Sequence, residues 1–194
     1  ITDLLAGSFA PAGLAFSALP GPEGAWAEQL SVLNPPFPVP VMACMLDVQG
    51  TDVTDRLQES SIFRRLPGGE YAFAHPLLQE HCRRELTPGS RVSLNTRAAD
   101  CFERSLHRLS GRLHVLLSLA CHFFNAQDYA KAADLNLELG LRFYHREDYD
   151  TALMLTERAI ISAEHLGDSA LLATARNQRD LVRRATAGPV RSVQ

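Results

Sequence analysis

Glu70-Tyr-Ala-Phe-Ala-His-Pro-Leu-Leu-Gln-Glu-His-Cys-Arg-Arg-Glu-Leu86 is the stretch whose reading decides the fold. Tyr71-Ala72-Phe73 alternates as a strand does, with both aromatics on one face. Pro67-Gly68-Gly69 ahead of it is a tight-turn signal, and Ile62-Phe63-Arg64-Arg65-Leu66 is a strand candidate on the other side of that turn. Together they predict a hairpin. Pro76 then opens a helix, at the position where a missing N–H costs nothing.

Upstream, the chain is short-period and rich in proline. Trp26, Leu30 and Leu33 recur at i, i+4 and i+7, one face of a short helix over 25–34. Pro35-Pro36-Phe37-Pro38 ends it, because proline lacks a donor and restricts its predecessor. Val39–Asp47 reads as a second helix with Val41, Met42, Met45 and Leu46 inward, broken at Gly50. Thr51 or Asp52 caps a third, Asp52–Glu59, facing in through Val53 and Leu57. Three helices followed by a two-stranded hairpin is the order of a winged helix, expected over residues 25–87. Residues 1–24, with three prolines and four glycines, read as an irregular lead-in.

A winged helix invites a DNA-binding reading, and charge weighs against it. The helix that would enter the major groove, Asp52-Val-Thr-Asp-Arg-Leu-Gln-Glu59, sets three carboxylates against one arginine. Facing phosphates, such a surface works against counterion release. Arg64 and Arg65 are the only basic pair nearby, and a solvated strand edge explains them equally well. They remain the candidate residues of a rival reading, a DNA-binding winged-helix transcription regulator.

Downstream, the periodicity becomes helical. Thr87-Pro88 caps and opens a helix whose inward stripe is Ala98, Ala99, Phe102, Leu106 and Leu109, with Gly111 as punctuation. Arg142-Phe-Tyr-His-Arg-Glu-Asp-Tyr-Asp-Thr-Ala152 then repeats the pattern of His122-Phe-Phe-Asn-Ala-Gln-Asp-Tyr-Ala-Lys-Ala132, twenty residues on, and Asp128, Asp148 and Asp168 fall at the same interval. Roughly four turns of helix plus a loop with an Asp cap gives antiparallel hairpins stacked side by side. The expected helices are 113–125, 129–146, 149–166 and 169–185, with Phe123, Phe143, Tyr129 and Tyr149 filling the corners. The final helix is expected to stay exposed, ahead of a polar tail over 187–194.

Leu139-Gly140, Phe143, Tyr149, Ala152 and Ala159 fall where the tetratricopeptide consensus has its Leu-Gly, aromatic, Tyr, Ala and Ala, so residues 88–186 resemble that repeat. The consensus Trp and closing Pro are replaced by Asn136 and Glu164. The fold class expected is therefore mainly α: a small winged helix followed by tetratricopeptide-like hairpins.

Composition bounds the function. The chain has 194 residues, 46% of them apolar, and a formal net charge of -3, with no basic block to bind nucleic acid. Cys44, Cys82, Cys101 and Cys121 are widely spaced without a C-x-x-C, which predicts four reduced, buried thiols in a cytoplasmic protein. No apolar run reaches the length of a membrane span. Ile1 in place of Met is expected of a piece cut from a longer protein.

The order winged helix, Tyr-x-Phe-x-His-Pro-Leu-Leu-x-Glu, Thr-Pro-x-x-Arg and helical hairpins resembles the middle and C-terminal part of STAND-type signalling ATPases, notably the large ATP-binding regulators of the LuxR and maltose-regulator type. The resemblance implies a winged helix packed on a nucleotide-binding domain of the same protein, and helical repeats that receive a signal. It also implies that His75, at the start of the last winged-helix helix, contacts the β-phosphate of bound ADP; the residues alone read His75 as a cap at the strand–helix junction. No Gly-rich Walker loop with Lys-Ser/Thr occurs, so no cofactor is expected on this chain itself, and ATP or ADP belongs to the implied parent. His75, His81 and Cys82 make a poor metal set, since His81 and Cys82 are adjacent on a helix and point apart. No Ser-His-Asp set or paired-carboxylate pocket marks an enzyme. What remains is a non-catalytic regulatory region with a protein or small-effector partner on the concave side of the array. Arg142, Tyr144, His145, Arg146 and Asp150, near one hairpin turn, are its candidate contacts.

Overall fold

Hydrophobic spacing and cap chemistry place most of the elements in the computed structural model, which describes residues 23–58, 60–109 and 112–187. Among these residues the chain is mainly helical, with one small antiparallel sheet. The order is α1 (Glu23–Leu30), α2 (Val39–Leu46), α3 (Gly50–Gln58), β1 (Phe63–Arg65), β2 (Tyr71–Phe73), α4 (Pro76–Glu85), α5 (Pro88–Ser105), a 3-10 turn (Leu106–Arg108), α6 (Arg112–Asn125), α7 (Tyr129–Tyr144), α8 (Tyr149–Leu166) and α9 (Ser169–Thr186). Residues 1–22 of the lead-in, 188–194 of the tail, and Glu59, Ser110 and Gly111 lie outside the described residues.

β1 and β2 pair antiparallel with Phe63 opposite Phe73 and Arg65 opposite Tyr71. Gly68 and Gly69 close the turn at φ of 99° and 87°, where a Cβ is disfavoured. Phe37, expected only to follow a helix stop, bridges Tyr71 from the far side with N–H···O distances of 2.7 and 3.1 Å in the two directions. The break after α2 also differs from expectation. Asp47 turns the chain in the left-handed region (φ 55°), and Gly50 opens α3 instead of ending α2.

The twenty-residue interval appears as one corner built three times. Asp128, Asp148 and Asp168 cap α7, α8 and α9, accepting from the N–H of Lys131, of Thr151, and of Ala170 and Leu171. The residue before each Asp, namely Gln127, Glu147 or Gly167, lies at φ of 62°, 62° and 67°. Each Asp N–H also reaches back to the carbonyl of Phe123, Phe143 or Ala163, closing the preceding helix. Tyr129 at the start of α7 stacks on His165 near the end of α8 with centroids 4.2 Å apart, so these two helices run antiparallel.

The largest core cluster includes residues from Trp26 to Ala132, on both sides of Thr87, and so ties α1–α4 to α5–α7. Smaller clusters centre on Leu139 and Leu155 and on Ala159, Ile160 and Ala175. One expectation is overturned here: Cys44 and Cys101 are joined in a disulfide between α2 and α5, leaving Cys82 buried and Cys121 half-buried as free thiols. Spacing along the chain concealed the pair, because the fold brings together cysteines 57 residues apart.

At Gly140, α7 meets α8 and α9 closely. A Cβ there would come within 2.4 Å of Gln178 Nε2 and 3.0 Å of Thr156 Oγ1. The Gln178 amide is held by the Leu137 carbonyl and the Thr156 hydroxyl, so it does not yield freely. Gly140→Ala is expected to lose about 1–3 kcal/mol to overpacking, outweighing the roughly 0.5–1 kcal/mol gained in helix propensity. Urea unfolding measures the balance, and a variant more stable than the parent would contradict this packing.

Candidate functional site

Three surfaces hold the residues singled out by sequence. On the small N-terminal unit, α3 turns Val53 and Leu57 into the core and leaves Thr51, Asp52, Asp55, Arg56 and Gln58 exposed. The guanidinium of Arg56, the only basic group on α3, lies 5.5 Å from the Trp26 ring centroid, a cation–π placement. Two exposed carboxylates then dominate the helix's outer face. Arg64 and Arg65 are exposed on β1, away from α3's acidic face in sequence but on the same small unit.

His75 stands at the N-cap of α4 in extended conformation, and its side chain makes no capping hydrogen bond. Its ring is exposed, as are Pro76 and Leu77, the latter 77% exposed. His81 is exposed while Cys82 is buried, so the neighbours do point apart. Burial raises the Cys82 thiol to about 12, which leaves it protonated. Among the described residues no group of three or more His, Cys, Asp or Glu is gathered to hold a metal.

The α7–α8 corner brings Arg142, Tyr144, His145, Arg146 and Asp150 together. Arg142 pairs with Glu138 one turn earlier, an exposed pair of small energetic worth. Tyr144 sits edge-on to His145 at 5.4 Å and tilts against Tyr149 at 5.9 Å, bracing the corner. His145, Arg146 and Asp150 are exposed. This corner is a polar rim around two tyrosines, with exposed Arg142, His145, Arg146 and Asp150.

The strongest polar constructions are ones that sequence reasoning missed. Gln79 and Arg83 of α4 both donate to the carbonyls of Ser31 and Leu33, beyond the end of α1, and Arg83 also reaches Asn34 Oδ1. Burial lowers the pKa of this guanidinium, and Glu80 opposes the change. His122 of α6 is fully buried, with Nδ1 2.9 Å from Asn95 Oδ1. The Asn95 amide nitrogen donates to the Arg91 carbonyl, which directs Oδ1 to accept from His122 Nδ1–H. Nε2 is left without a partner, and burial, with Arg83 adding to it, lowers the pKa to about 4. No local signal marks these residues, since their partners lie 27 to 52 positions away.

An open cleft of about 440 Å³ lies between α1 and α5, lined by Glu28, Gln29, Ser90, Ser93 and Leu94. Glu28 is the only titratable group lining it among the described residues, which gives no acid–base pair there. No helix among the described residues is long and apolar enough to cross a membrane. Comparison of the chain with protein-family models, with curated proteins and with solved structures returns no match.

Proposed function

We propose that this chain is a non-catalytic regulatory region: a winged-helix adapter, 25–87, coupled to a tetratricopeptide-like sensor, 88–186, within a cytoplasmic signalling ATPase or transcription regulator. The observation that carries the adapter half is the outer face of α3, where Asp52 and Asp55 are exposed and Arg56 is engaged with Trp26. A groove-reading helix needs donors and positive charge on that face. The Phe37–Tyr71 bridge supports a winged-helix arrangement, because it adds a third short strand segment between the first two helices. The thrice-built corner and the crowded Gly140 support the repeat half.

On this reading ATP or ADP is bound by another domain of the same parent protein, and the exposed His75 faces that domain. The partner, a protein or small effector, meets the helical array, with Arg142, Tyr144, His145, Arg146 and Asp150 at one corner as contacts. The rival, a DNA-binding regulator, rests on the exposed Arg64 and Arg65.

Fluorescence anisotropy with a labelled duplex at about 50 mM salt separates the two. Non-specific DNA binders reach a Kd of roughly 1–100 μM even at physiological salt, and no binding in that range is expected here. Salt-sensitive binding of that strength, abolished by Arg64→Glu with Arg65→Glu, would establish the rival.

A further inference from the structure

Cys44 and Cys101 lie on elements from the two halves of the molecule, and their α-carbons are 5.6 Å apart. That spacing is where a disulfide closes without backbone movement. α2 packs directly on α5, and Val41, Met42 and Met45 of the first and Ala98, Ala99 and Phe102 of the second belong to one buried cluster. Among the described residues no ion pair or hydrogen bond joins these two helices, so the disulfide is the one directional tie between α2 and α5. The other two thiols do not compete for it. Cys82 is buried on α4, and Cys121 accepts from the side-chain amides of Asn34 and Asn125.

The two sulfurs are unequal in access. Cys44 is half-buried, whereas Cys101 is 2% exposed. We propose that Cys44–Cys101 is a reversible redox latch that fastens α2 to α5 when oxidised and loosens the α2–α5 seam when reduced. An external thiolate attacks Cys44 Sγ, forming a mixed disulfide, and Cys101 leaves as a thiolate that takes up a proton. A second external thiol displaces Cys44, so one disulfide and two thiols become two protein thiols and one external disulfide. Oxidation is the reverse, with a small-molecule or protein disulfide as oxidant.

Burial of the leaving sulfur opposes thiolate release, so exchange is slow until the seam opens. Once the bond is broken, the sulfurs need van der Waals spacing. Either a thiol turns to another rotamer or the α2–α5 seam widens. The latch stands on this placement and not on the adapter reading; a cytoplasmic setting would only make its reversal routine, since disulfides there are usually transient and redox-sensing.

The test uses the whole chain, equilibrated with oxidised glutathione or with dithiothreitol, then denatured, alkylated and weighed. Two alkylated cysteines are expected in the first state and four in the second, with Cys44 and Cys101 as the difference. Hydrogen exchange in the two states is then compared. Amides of α2 are expected to exchange about tenfold or more faster on reduction, while those of α8 and α9 are unchanged. Cys44→Ala is expected to match the reduced state whatever the oxidant, and wild-type protein with and without reductant serves if the variant folds poorly. Four alkylatable thiols under oxidised glutathione, or identical α2 exchange in both states, would overturn the latch.

Discussion

Replacing Phe102 with alanine is expected to cost about 3–5 kcal/mol of folding stability, the range for deleting a fully packed aromatic. Phe102 is 2% exposed and sits in the cluster that takes in α1–α7. Its ring stacks at 5.4 Å on His122, so the cavity left behind would be walled partly by a buried imidazole. Phe102→Leu, which retains most of the volume, is expected to cost much less. Urea unfolding read by two probes measures both effects. Trp26, the sole tryptophan, is 6% exposed on α1 and reports the N-terminal unit. Far-UV circular dichroism is dominated by the long helices α5–α9. Because the core is shared, both probes are expected to move together in parent and variant. Separate transitions, or a Phe102→Ala loss below about 1 kcal/mol, would show that the two halves do not depend on this core.

The second large effect is a loss of stability in mild acid. His122 titrates at about 4 in the folded chain, below its ordinary 6.5, because burial disfavours the charged form and Arg83 adds to that. In the unfolded chain the same imidazole takes up its proton near pH 6.5. Between those values the unfolded state binds more protons, so stability falls as the pH falls, by up to about 1.4 kcal/mol per unit. The contribution is fully present above pH 6.5 and is lost progressively down to about pH 4, roughly 3 kcal/mol in all. His122→Gln retains an amide donor for Asn95 Oδ1 and cannot titrate. Its stability between pH 7.5 and 4.5 is expected to decline less than the parent's by most of that amount. Parallel pH profiles for the two proteins would show that His122 is not held neutral.

What was legible in the chain was what depends on near neighbours. Asp128, Asp148 and Asp168 cap helices as their spacing suggested, because an N-cap bond reaches only two or three residues. Pro67-Gly68-Gly69 closes a hairpin for the same local reason. Two of the three left-handed corner positions hold Gln127 and Glu147, which no glycine pattern would have revealed. The disulfide, the bridge from Phe37 to Tyr71, and the bond from His122 to Asn95 join positions 27 to 57 apart, where only the assembled fold decides who meets whom. The candidate site divides along the same line. The α7–α8 corner could be found from its repeat, whereas Gln79 and Arg83 looked like ordinary residues of an amphipathic helix.

The double grip of Gln79 and Arg83 on the carbonyls of Ser31 and Leu33 has a structural consequence. Arg83 also holds Asn34, whose amide reaches Cys121 of α6 at 3.5 Å. Residues 31–34 are therefore held by α4 on one side and by α6 on the other. α4, the segment after α1 and α6 therefore share one continuous run of hydrogen bonds, from Gln79 and Arg83 through Asn34 to Cys121.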